Sequence, residues 1–272
     1  MRKADLHLHS TASDGVLEPH AVVQAAASAG VTALSLTDHD TVAGLDEAAA
    51  ECERLGMRYI SGSEISANEP GVSIHLLAYG FDPQHPGLLA FLAGVHEARW
   101  SRVHEMISRL NGLGIPIAAK HVMDQAGAGS ATRAHVSRAL IAGGWVRSTR
   151  EVFSRYLGRD CPGFVEKPPT PPASVIELVR QAGGVTLLAH PGDSFSEADI
   201  ERWVADGLDG IEIMHPRNGP QERASLERLV VRHGLLRAGG SDWHGPDSGG
   251  APVGTENVPG EWLDAIFARC KE

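Results

Sequence analysis

Short apolar runs alternate with helical segments in both terminal parts of the chain, and this alternation most constrains the fold. Residues 3–9 alternate apolar and polar side chains, a pattern typical of a half-buried strand. Further strands are predicted near residues 31–36, 59–64, 72–79, 185–190, 210–215 and 235–242. Strands that alternate with helices favour a largely parallel sheet covered by helices. Because about seven strands are predicted, an α/β fold with a distorted or incomplete β/α barrel is expected rather than a regular eightfold one.

The strand pattern disappears in the middle of the chain. Helical segments are indicated there over residues 88–113, 131–142 and 149–157. A rigid proline-rich stretch at 168–172 closes the region. We therefore predict a helical insertion over 86–172, which interrupts a barrel domain formed by 1–85 and 173–272.

The charge of the insertion is opposite to that of the remaining chain. With 24 Lys and Arg against 34 Asp and Glu, the 272 residues carry a formal charge of −10, which at first argues against nucleic-acid partners. Residues 99–167, however, hold 11 basic and 5 acidic side chains, so 11 − 5 gives +6 and leaves −10 − 6 = −16 for the remainder. A basic insertion beside an acidic domain predicts an anionic small-molecule substrate and a role as a substrate lid.

Apolar runs and cysteine content indicate in which cellular compartment the protein is expected. The sequence has no apolar run approaching the ~20 residues that a membrane span needs, so no membrane partner is expected. Its three cysteines are too few and too scattered for a disulfide framework, which predicts a cytoplasmic protein. Nothing in the pattern implies a protein partner.

Histidine and acidic side chains recur at the carboxyl ends of the predicted strands. His7 and His9 lie two positions apart, so both imidazoles project from one face of the first strand and can hold one cation. Seven more nitrogen or oxygen ligands occupy comparable places, namely Asp14, His39, Glu64, His75, His190, Asp242 and His244. Any single one could be a turn or packing residue, but nine together predict a metal centre at this edge.

Four segments resemble the motifs of the PHP (polymerase and histidinol phosphatase) family: Asp5-Leu6-His7-Leu8-His9, Thr37-Asp38-His39-Asp40, Ala189-His190-Pro191 and Ser241-Asp242-Trp243-His244. The similarity extends from residue 3 to about residue 245. It implies a distorted seven-stranded, TIM-like β/α barrel of the amidohydrolase-like group, a site for three divalent metal ions, and hydrolysis of phosphate esters. Manganese is the expected metal, with iron and zinc as alternatives.

The same resemblance implies how the nine ligands are shared. It assigns one metal to His7, His9, Glu64 and Asp242, a second to Glu64, His75 and His190, and a third to Asp14, His39 and His244. The expected nucleophile is a metal-activated hydroxide held by Glu64, His190 and Asp242, which attacks phosphorus without a covalent intermediate.

A segment of the insertion suggests the substrate. Thr132-Arg133-Ala134-His135 is similar to a Thr-Arg-x-His segment in the PHP branch that removes the 3′-phosphate from nucleoside 3′,5′-bisphosphates. The resemblance implies that Arg133 and His135 bind substrate and that adenosine 3′,5′-bisphosphate is converted to AMP and phosphate. Lys167 is a weaker candidate for a second phosphate, and His215 and Arg217 are weaker still.

Three alternative functions are compatible with the sequence. Relatives of the same branch trim short RNA from 5′-phosphorylated ends, so a 5′→3′ exonuclease activity is the first alternative. Histidinol phosphate phosphatase shares the metal motifs, although its cationic substrate suits a basic insertion poorly. A non-catalytic PHP module is the third, and it is disfavoured because every ligand position is filled.

Overall fold

The computed structural model describes residues 3–126, 131–246 and 248–270. The chain forms two compact units, each with its own core. The sheet unit comprises residues 1–90 and 169–272, and the helical unit comprises residues 91–168. No helix among the described residues is long and apolar enough to cross a bilayer.

The strands of the sheet unit form two separate sheets. They are β1 (Lys3–Asp5), β2 (Ala33–Leu34), β3 (Arg58–Tyr59), β4 (Gly62–Glu69), β5 (Val72–Tyr79), β6 (Val185–Leu188), β7 (Gly210–Met214), β8 (Leu236–Gly239) and β9 (Val258–Pro259). One sheet has the order β3-β2-β1-β9 and the other the order β4-β5-β6-β7-β8. Pairing is antiparallel for β1 with β9, β4 with β5 and β5 with β6, and parallel elsewhere.

The mixed α/β architecture is confirmed, but the described strands do not close into the expected seven-stranded barrel. A closed barrel needs a continuous ladder, whereas isolated bridges join Leu8 to Trp243 and His39 to Glu64 between the sheets. The hairpin β4–β5 also departs from the predicted parallel order. Only Pro70 and Gly71 separate these strands, and so short a connection has no room for a crossover helix.

Helices cover the sheets, and their ends follow from local sequence. They are α1 (Pro19–Ser28), α2 (Leu45–Leu55), α7 (Pro172–Gln181), α8 (Glu197–Ala205), α9 (Pro220–His233) and α10 (Gly260–Arg269). Proline opens α1, α7 and α9 at a position where its missing N–H costs nothing. Gly56 and Gly234 end α2 and α9 with left-handed backbone angles that favour glycine.

Residues from both sheets and from α10 form an apolar core of the sheet unit. Leu6 comes from the first sheet, Leu77 and Leu187 come from the second, and Leu263 and Ile266 come from α10. All five side chains are fully buried. Because alternate residues of strands such as β5 and β6 enter this core, the polar residues at their ends are held on a rigid base.

The helical unit contains α3 (Pro86–Gly112), which begins in the sheet unit, followed by α4 (Ala119–Ala126), α5 (Arg133–Ala142) and α6 (Thr149–Val152). A π-helix over Phe153–Leu157 continues α6, where one uninterrupted helix was expected. Met106, Leu110, Leu140 and Leu157 are fully buried in its core.

Candidate metal centre

Five histidine side chains surround the carboxylate of Glu64, which is fully buried near the start of β4. Its Oε2 atom lies 3.1 Å from His7 Nε2, 3.2 Å from His9 Nε2 and 3.1 Å from His39 Nδ1, and its Oε1 atom lies 2.6 Å from His75 Nδ1 and 2.8 Å from His190 Nε2. A carboxylate with imidazoles on both oxygens is placed to bridge two cations.

The fold brings these side chains together from separate elements. His7 and His9 follow β1, and His39 follows β2. Glu64 and His75 lie on the β4–β5 hairpin, where Ser66 is the direct partner of His75, so the two ligands are diagonal neighbours. The structure thus collects at one place residues that the sequence predicted only as strand-end ligands.

Two aspartates complete the cluster. Asp242 Oδ1 lies 3.2 Å from His9 Nε2 and 3.5 Å from His7 Nε2. Asp14 Oδ1 lies 3.4 Å from His244 Nε2, and Asp14 Oδ2 lies 3.9 Å from His39 Nε2. All nine predicted ligands therefore contact at least one other member of the set.

The ligand atoms gather into groups in which all members lie within 4.8 Å of one another. These groups are His7, His9, Glu64 and Asp242; His9, Asp14, His39 and His244; His39, Glu64 and His75; and His7, Glu212 and His215. The first group has the composition that the family resemblance implies. The second adds His9 to the implied set, and in the third His39 takes the place expected for His190.

The donor atoms fit divalent metal ions. Both ring nitrogens of His9 and the Nδ1 atom of His39 are buried and have no hydrogen-bond partner, although carboxylate oxygens lie within ion-pair distance. Buried ring nitrogens that make no hydrogen bond are costly unless a cation binds them. Mixed imidazole and carboxylate donors suit manganese, iron or zinc better than calcium.

Opposite charges shift the ionisation of the cluster. Burial alone would lower the pKa of His7 and His9, but the neighbouring carboxylates outweigh it, raising the pKa of His7 well above its usual value and that of His9 to about 10. Burial likewise opposes ionisation of Glu64, yet the imidazoles of His39 and His75 hold its pKa well below its usual range. For His39 burial dominates and lowers the pKa to about 4.

Two ligands have strained backbones. His190 and Asp242 have positive φ angles of 28° and 53°, a region that residues other than glycine rarely adopt. Hydrogen bonds hold both conformations, since His190 N donates to Glu212 Oε2 at 2.7 Å and Asp242 N donates to the carbonyl of His7 at 2.9 Å. Such strain is commonly concentrated at functional sites.

Sequence reasoning missed Glu212, which is fully buried in β7. Its Oε1 atom lies 2.9 Å from His7 Nδ1. His215, expected as a weak substrate contact, is buried beside the cluster, with Nε2 3.3 Å from Asp242 Oδ2. A charged residue inside the apolar run Ile211-Glu212-Ile213 was the signal that could have identified this carboxylate.

Asp38, in the second motif, supports the loop that carries Asp14. Asp38 Oδ1 accepts hydrogen bonds from Ser10 N at 2.7 Å and from Ser13 Oγ at 2.5 Å, and Oδ2 accepts one from Ser10 Oγ at 2.6 Å. Asp38 is almost completely buried. It therefore holds the ligand loop against β2 rather than acting as a ligand.

Arg133, a candidate substrate residue of the insertion, has partners within the helical unit. The Arg133 guanidinium lies over the rings of Phe153 and Phe164, at 5.1 and 5.7 Å, and Nη1 donates to the carbonyl of Leu157. Burial, followed by the charge of Arg159, lowers the pKa of Arg133.

The other candidates differ in exposure. His135 is buried, and its Nδ1 accepts a hydrogen bond from Thr132 N at 2.9 Å in the capping box that begins α5. Lys167 is partly exposed, and Arg217 is exposed. Substrate binding by Arg133, His135, Lys167, His215 and Arg217 stays a prediction.

Comparisons with known proteins identify the family. Residues 5–157 match the model of the PHP domain. The chain is 37% identical over 253 residues to a 5′-3′ exoribonuclease of Haemophilus influenzae, covering 90% of this chain and 91% of that protein. It is 35% identical over 266 residues to a 3′,5′-nucleoside bisphosphate phosphatase of Chromobacterium violaceum, covering 95% and 93%.

A solved structure from Bifidobacterium adolescentis, assigned as a metal-dependent phosphoesterase, superposes with a TM-score of 0.89 at 32% identity. The alignment covers 98% of this chain and 96% of that one. The family model covers more than half of the 272 residues, and both relatives align along nearly their full lengths. The chain therefore belongs to the PHP domain family.

Proposed function

We propose that this PHP-family phosphoesterase removes the 3′-phosphate from nucleoside 3′,5′-bisphosphates, converting adenosine 3′,5′-bisphosphate to AMP and phosphate. The observation that carries the proposal is the 35% identity to the Chromobacterium violaceum bisphosphate phosphatase, which extends over 95% of this chain. The clustered ligands supply the chemistry that such a reaction needs. We further propose that the site holds three divalent ions, with manganese as the working metal.

The ligand cluster is more exposed on one side than on the other. The side chains of His7, His9 and Glu64 are at most 1% exposed, whereas those of Asp14 and His244 are 24% and 26% exposed. A phosphate group therefore approaches from the side of Asp14, His75 and His244. The closed side excludes water from the nitrogen and oxygen atoms that face Glu64, which strengthens electrostatic interactions there.

Divalent ions bound by the nine side chains would supply the positive charge that polarises a phosphoryl oxygen and activates water at neutral pH. The chain itself contributes orientation. Both carboxylate oxygens of Glu64 contact imidazoles. Glu212 contacts Nδ1 of His7, so that Nε2 of His7 faces the cluster. We propose attack by water in which Glu64, His190 and Asp242 hold the nucleophile.

A second candidate is 5′→3′ exonuclease activity on short 5′-phosphorylated RNA. It is favoured by the 37% identity to the Haemophilus influenzae exoribonuclease over 90% of this chain. The two activities are chemically close, because a nucleoside 3′,5′-bisphosphate resembles the 5′ end of an RNA strand whose first bridging phosphate is cleaved.

One experiment separates these functions. Manganese-loaded protein is incubated with adenosine 3′,5′-bisphosphate, with a 5′-phosphorylated oligoribonucleotide and with histidinol phosphate, and the products are identified by mass spectrometry. Phosphate release with 5′-AMP as the product supports the main proposal. Cleavage of the RNA alone would support the second candidate, and turnover of histidinol phosphate alone would contradict both.

A further inference from the structure

We propose that Glu212, His215 and Asn218, at the end of β7 and in the loop after it, form a positioning unit that orients the metal ligands His7, His190 and Asp242. The inference rests on the proposed function in one respect, namely that the cluster binds divalent metal. None of the three residues belongs to the nine predicted ligands. Each instead contacts the rear of a ligand or the backbone that carries one.

The first contact selects the tautomer of His7. Glu212 is fully buried, and its Oε1 atom lies 2.9 Å from His7 Nδ1. The opposite nitrogen, Nε2, faces Glu64 at 3.1 Å and Asp242 at 3.5 Å. Because an ionised carboxylate only accepts hydrogen bonds, Nδ1 carries a proton, so Nε2 is the nitrogen that is left to bind a cation.

The second contact stabilises the backbone of His190. The other oxygen of Glu212, Oε2, accepts a hydrogen bond from His190 N at 2.7 Å. His190 has a φ of 28°, so this charged hydrogen bond offsets backbone strain at the residue whose Nε2 lies 2.8 Å from Glu64 Oε1. One carboxylate therefore orients two ligands that come from different strands.

The third contact acts on Asp242. His215 Nδ1 accepts a hydrogen bond from Arg217 N at 3.0 Å, so a neutral His215 carries its proton on Nε2. That nitrogen lies 3.3 Å from Asp242 Oδ2, while Oδ1 of the same carboxylate faces His9 Nε2 at 3.2 Å. His215 thus engages the rear oxygen of Asp242 and leaves the front oxygen for a cation.

Asn218 ties the unit to the rest of the site. Its side chain is 2% exposed, and Nδ2 donates to the carbonyls of Glu212 and Ile213, each at 3.0 Å. Its Oδ1 atom accepts a hydrogen bond from Gly192 N at 3.0 Å, in the loop just after His190. The amide uses both its donor and its acceptor, and it holds the end of β7 against the segment that carries a ligand.

The close grouping of His7, Glu212 and His215 could also be read as a separate metal site. Their hydrogen bonds argue against that interpretation. His7 Nδ1 is engaged by Glu212, and His215 Nδ1 is engaged by Arg217 N. A cation there would have to break both contacts, so the geometry points to support of the neighbouring ligands.

The test measures metal binding directly. Mn²⁺ affinity is determined by titration calorimetry, and the visible spectrum of bound Co²⁺ reports ligand geometry. Glu212→Gln preserves volume but removes the charge and replaces one acceptor by a donor, so we expect about 10- to 100-fold weaker Mn²⁺ binding and an altered Co²⁺ spectrum. The matched control is Asp209→Asn, because Asp209 precedes β7 and accepts a hydrogen bond from Thr186 N at 2.9 Å.

Three further variants keep the test decisive. Glu212→Asp, which retains the charge, is measured in place of Glu212→Gln if the Gln variant does not fold. His215→Phe removes the contact to Asp242, and weaker Mn²⁺ binding is expected, whereas His215→Gln, which keeps an N–H donor, should restore part of the affinity.

The outcomes separate this inference from the proposed function. Unchanged Mn²⁺ affinity and Co²⁺ spectra in the Glu212 and His215 variants would overturn the positioning unit, even if thermal stability fell. Metal binding by the wild type without hydrolysis of the bisphosphate would contradict the proposed function and leave the positioning unit standing. A wild type that binds neither Mn²⁺ nor Co²⁺ would overturn both.

Discussion

The Nε2 atom of His7 lies 3.1 Å from the Oε2 atom of Glu64, although 57 positions separate the two residues in the chain. Both side chains are buried, so water cannot screen the contact. Two atoms with lone pairs at this distance need a proton or a cation between them. We therefore expect protons and metal ions to compete for these atoms.

Metal removal should lower the thermal stability of the protein. A ligand that binds only the folded state at 100 times its Kd adds about 2.7 kcal/mol to the free energy of unfolding. We expect the melting temperature of manganese-loaded protein to exceed that of EDTA-treated protein by several degrees in scanning calorimetry. Calcium at the same concentration is the control, and it should raise the temperature less. Identical melting curves with and without manganese would contradict a metal centre.

Metal binding should release protons and strengthen as the pH rises. In the metal-free protein Asp242 and Glu64 raise the pKa of His9 to about 10 against the opposing effect of burial, so His9 is protonated at pH 7. A metal ion must displace that proton, and the apparent affinity therefore increases as pH rises from 7 towards 10. Calorimetric titrations in two buffers of different ionisation enthalpy measure the released protons. A signal independent of the buffer would refute this coupling.

Replacing Asp242 by Asn should abolish turnover through metal loss. Asp242 Oδ1 lies within 3.5 Å of both His7 and His9, so the variant removes a charged side chain from a group whose other three members are buried. We expect Mn²⁺ affinity to fall by about 100-fold or more, beyond the usual effect of supporting residues. Plasma emission analysis gives the metal content. Asp193→Asn, outside the predicted ligand set, is the control and should keep wild-type metal content.

Removing the Asp38 carboxylate should destabilise the protein and loosen the Asp14 loop. Asp38 accepts three hydrogen bonds from Ser10 and Ser13 in a buried setting. We expect Asp38→Ala to lower the free energy of unfolding by about 2–4 kcal/mol, measured by urea denaturation. Glu53→Ala, at an exposed position of α2, should change it by less than about 0.5 kcal/mol. Equal effects of the two variants would rule out this role.

Replacing Arg133 by Met separates substrate binding from packing. If Arg133 binds a phosphate, kcat/KM for the bisphosphate falls by about 10- to 100-fold, the value of a charged hydrogen bond. The guanidinium also lies over Phe153, so the variant loses stability of about 1 kcal/mol. Phe153→Leu removes that ring contact and keeps the guanidinium, and it should lower stability while kcat/KM stays within about twofold. An unchanged kcat/KM in the Arg133 variant would exclude Arg133 from substrate binding.

The sequence was sufficient for the family and for the set of candidate ligands. Residues such as His7 and His39 follow strands in the structure, as the periodicity of the sequence predicted. Glu64, which was expected at the end of a strand near residues 59–64, is instead the third residue of β4. The four motif segments were specific enough to identify the PHP family, which the comparisons confirmed. The alternation of strands and helices likewise predicted the mixed α/β architecture, because local side-chain pattern determines the type of each element.

The sequence pattern did not show whether neighbouring strands pair in parallel or antiparallel, or whether the sheet closes into a barrel. The strand Val72–Tyr79 was predicted at its observed bounds, but its antiparallel pairing with β4 depends on a connection of only Pro70 and Gly71. Periodicity is identical for parallel and antiparallel strands, so it cannot tell a hairpin from a crossover. Periodicity also carries no information on whether a sheet closes. The structure has two sheets joined by isolated bridges where a continuous barrel was expected.

By itself the sequence determined the family and a set of nine candidate metal ligands. Only the tertiary structure decided how they are oriented: Glu212 against the rear nitrogen of His7, His215 against the rear oxygen of Asp242, and Asp38 beneath the loop that carries Asp14. These contacts join residues up to 205 positions apart. Hydrogen bonds depend on distances and angles between atoms, and for residues so far apart in the chain these are set by the packing of the sheets rather than by any local pattern.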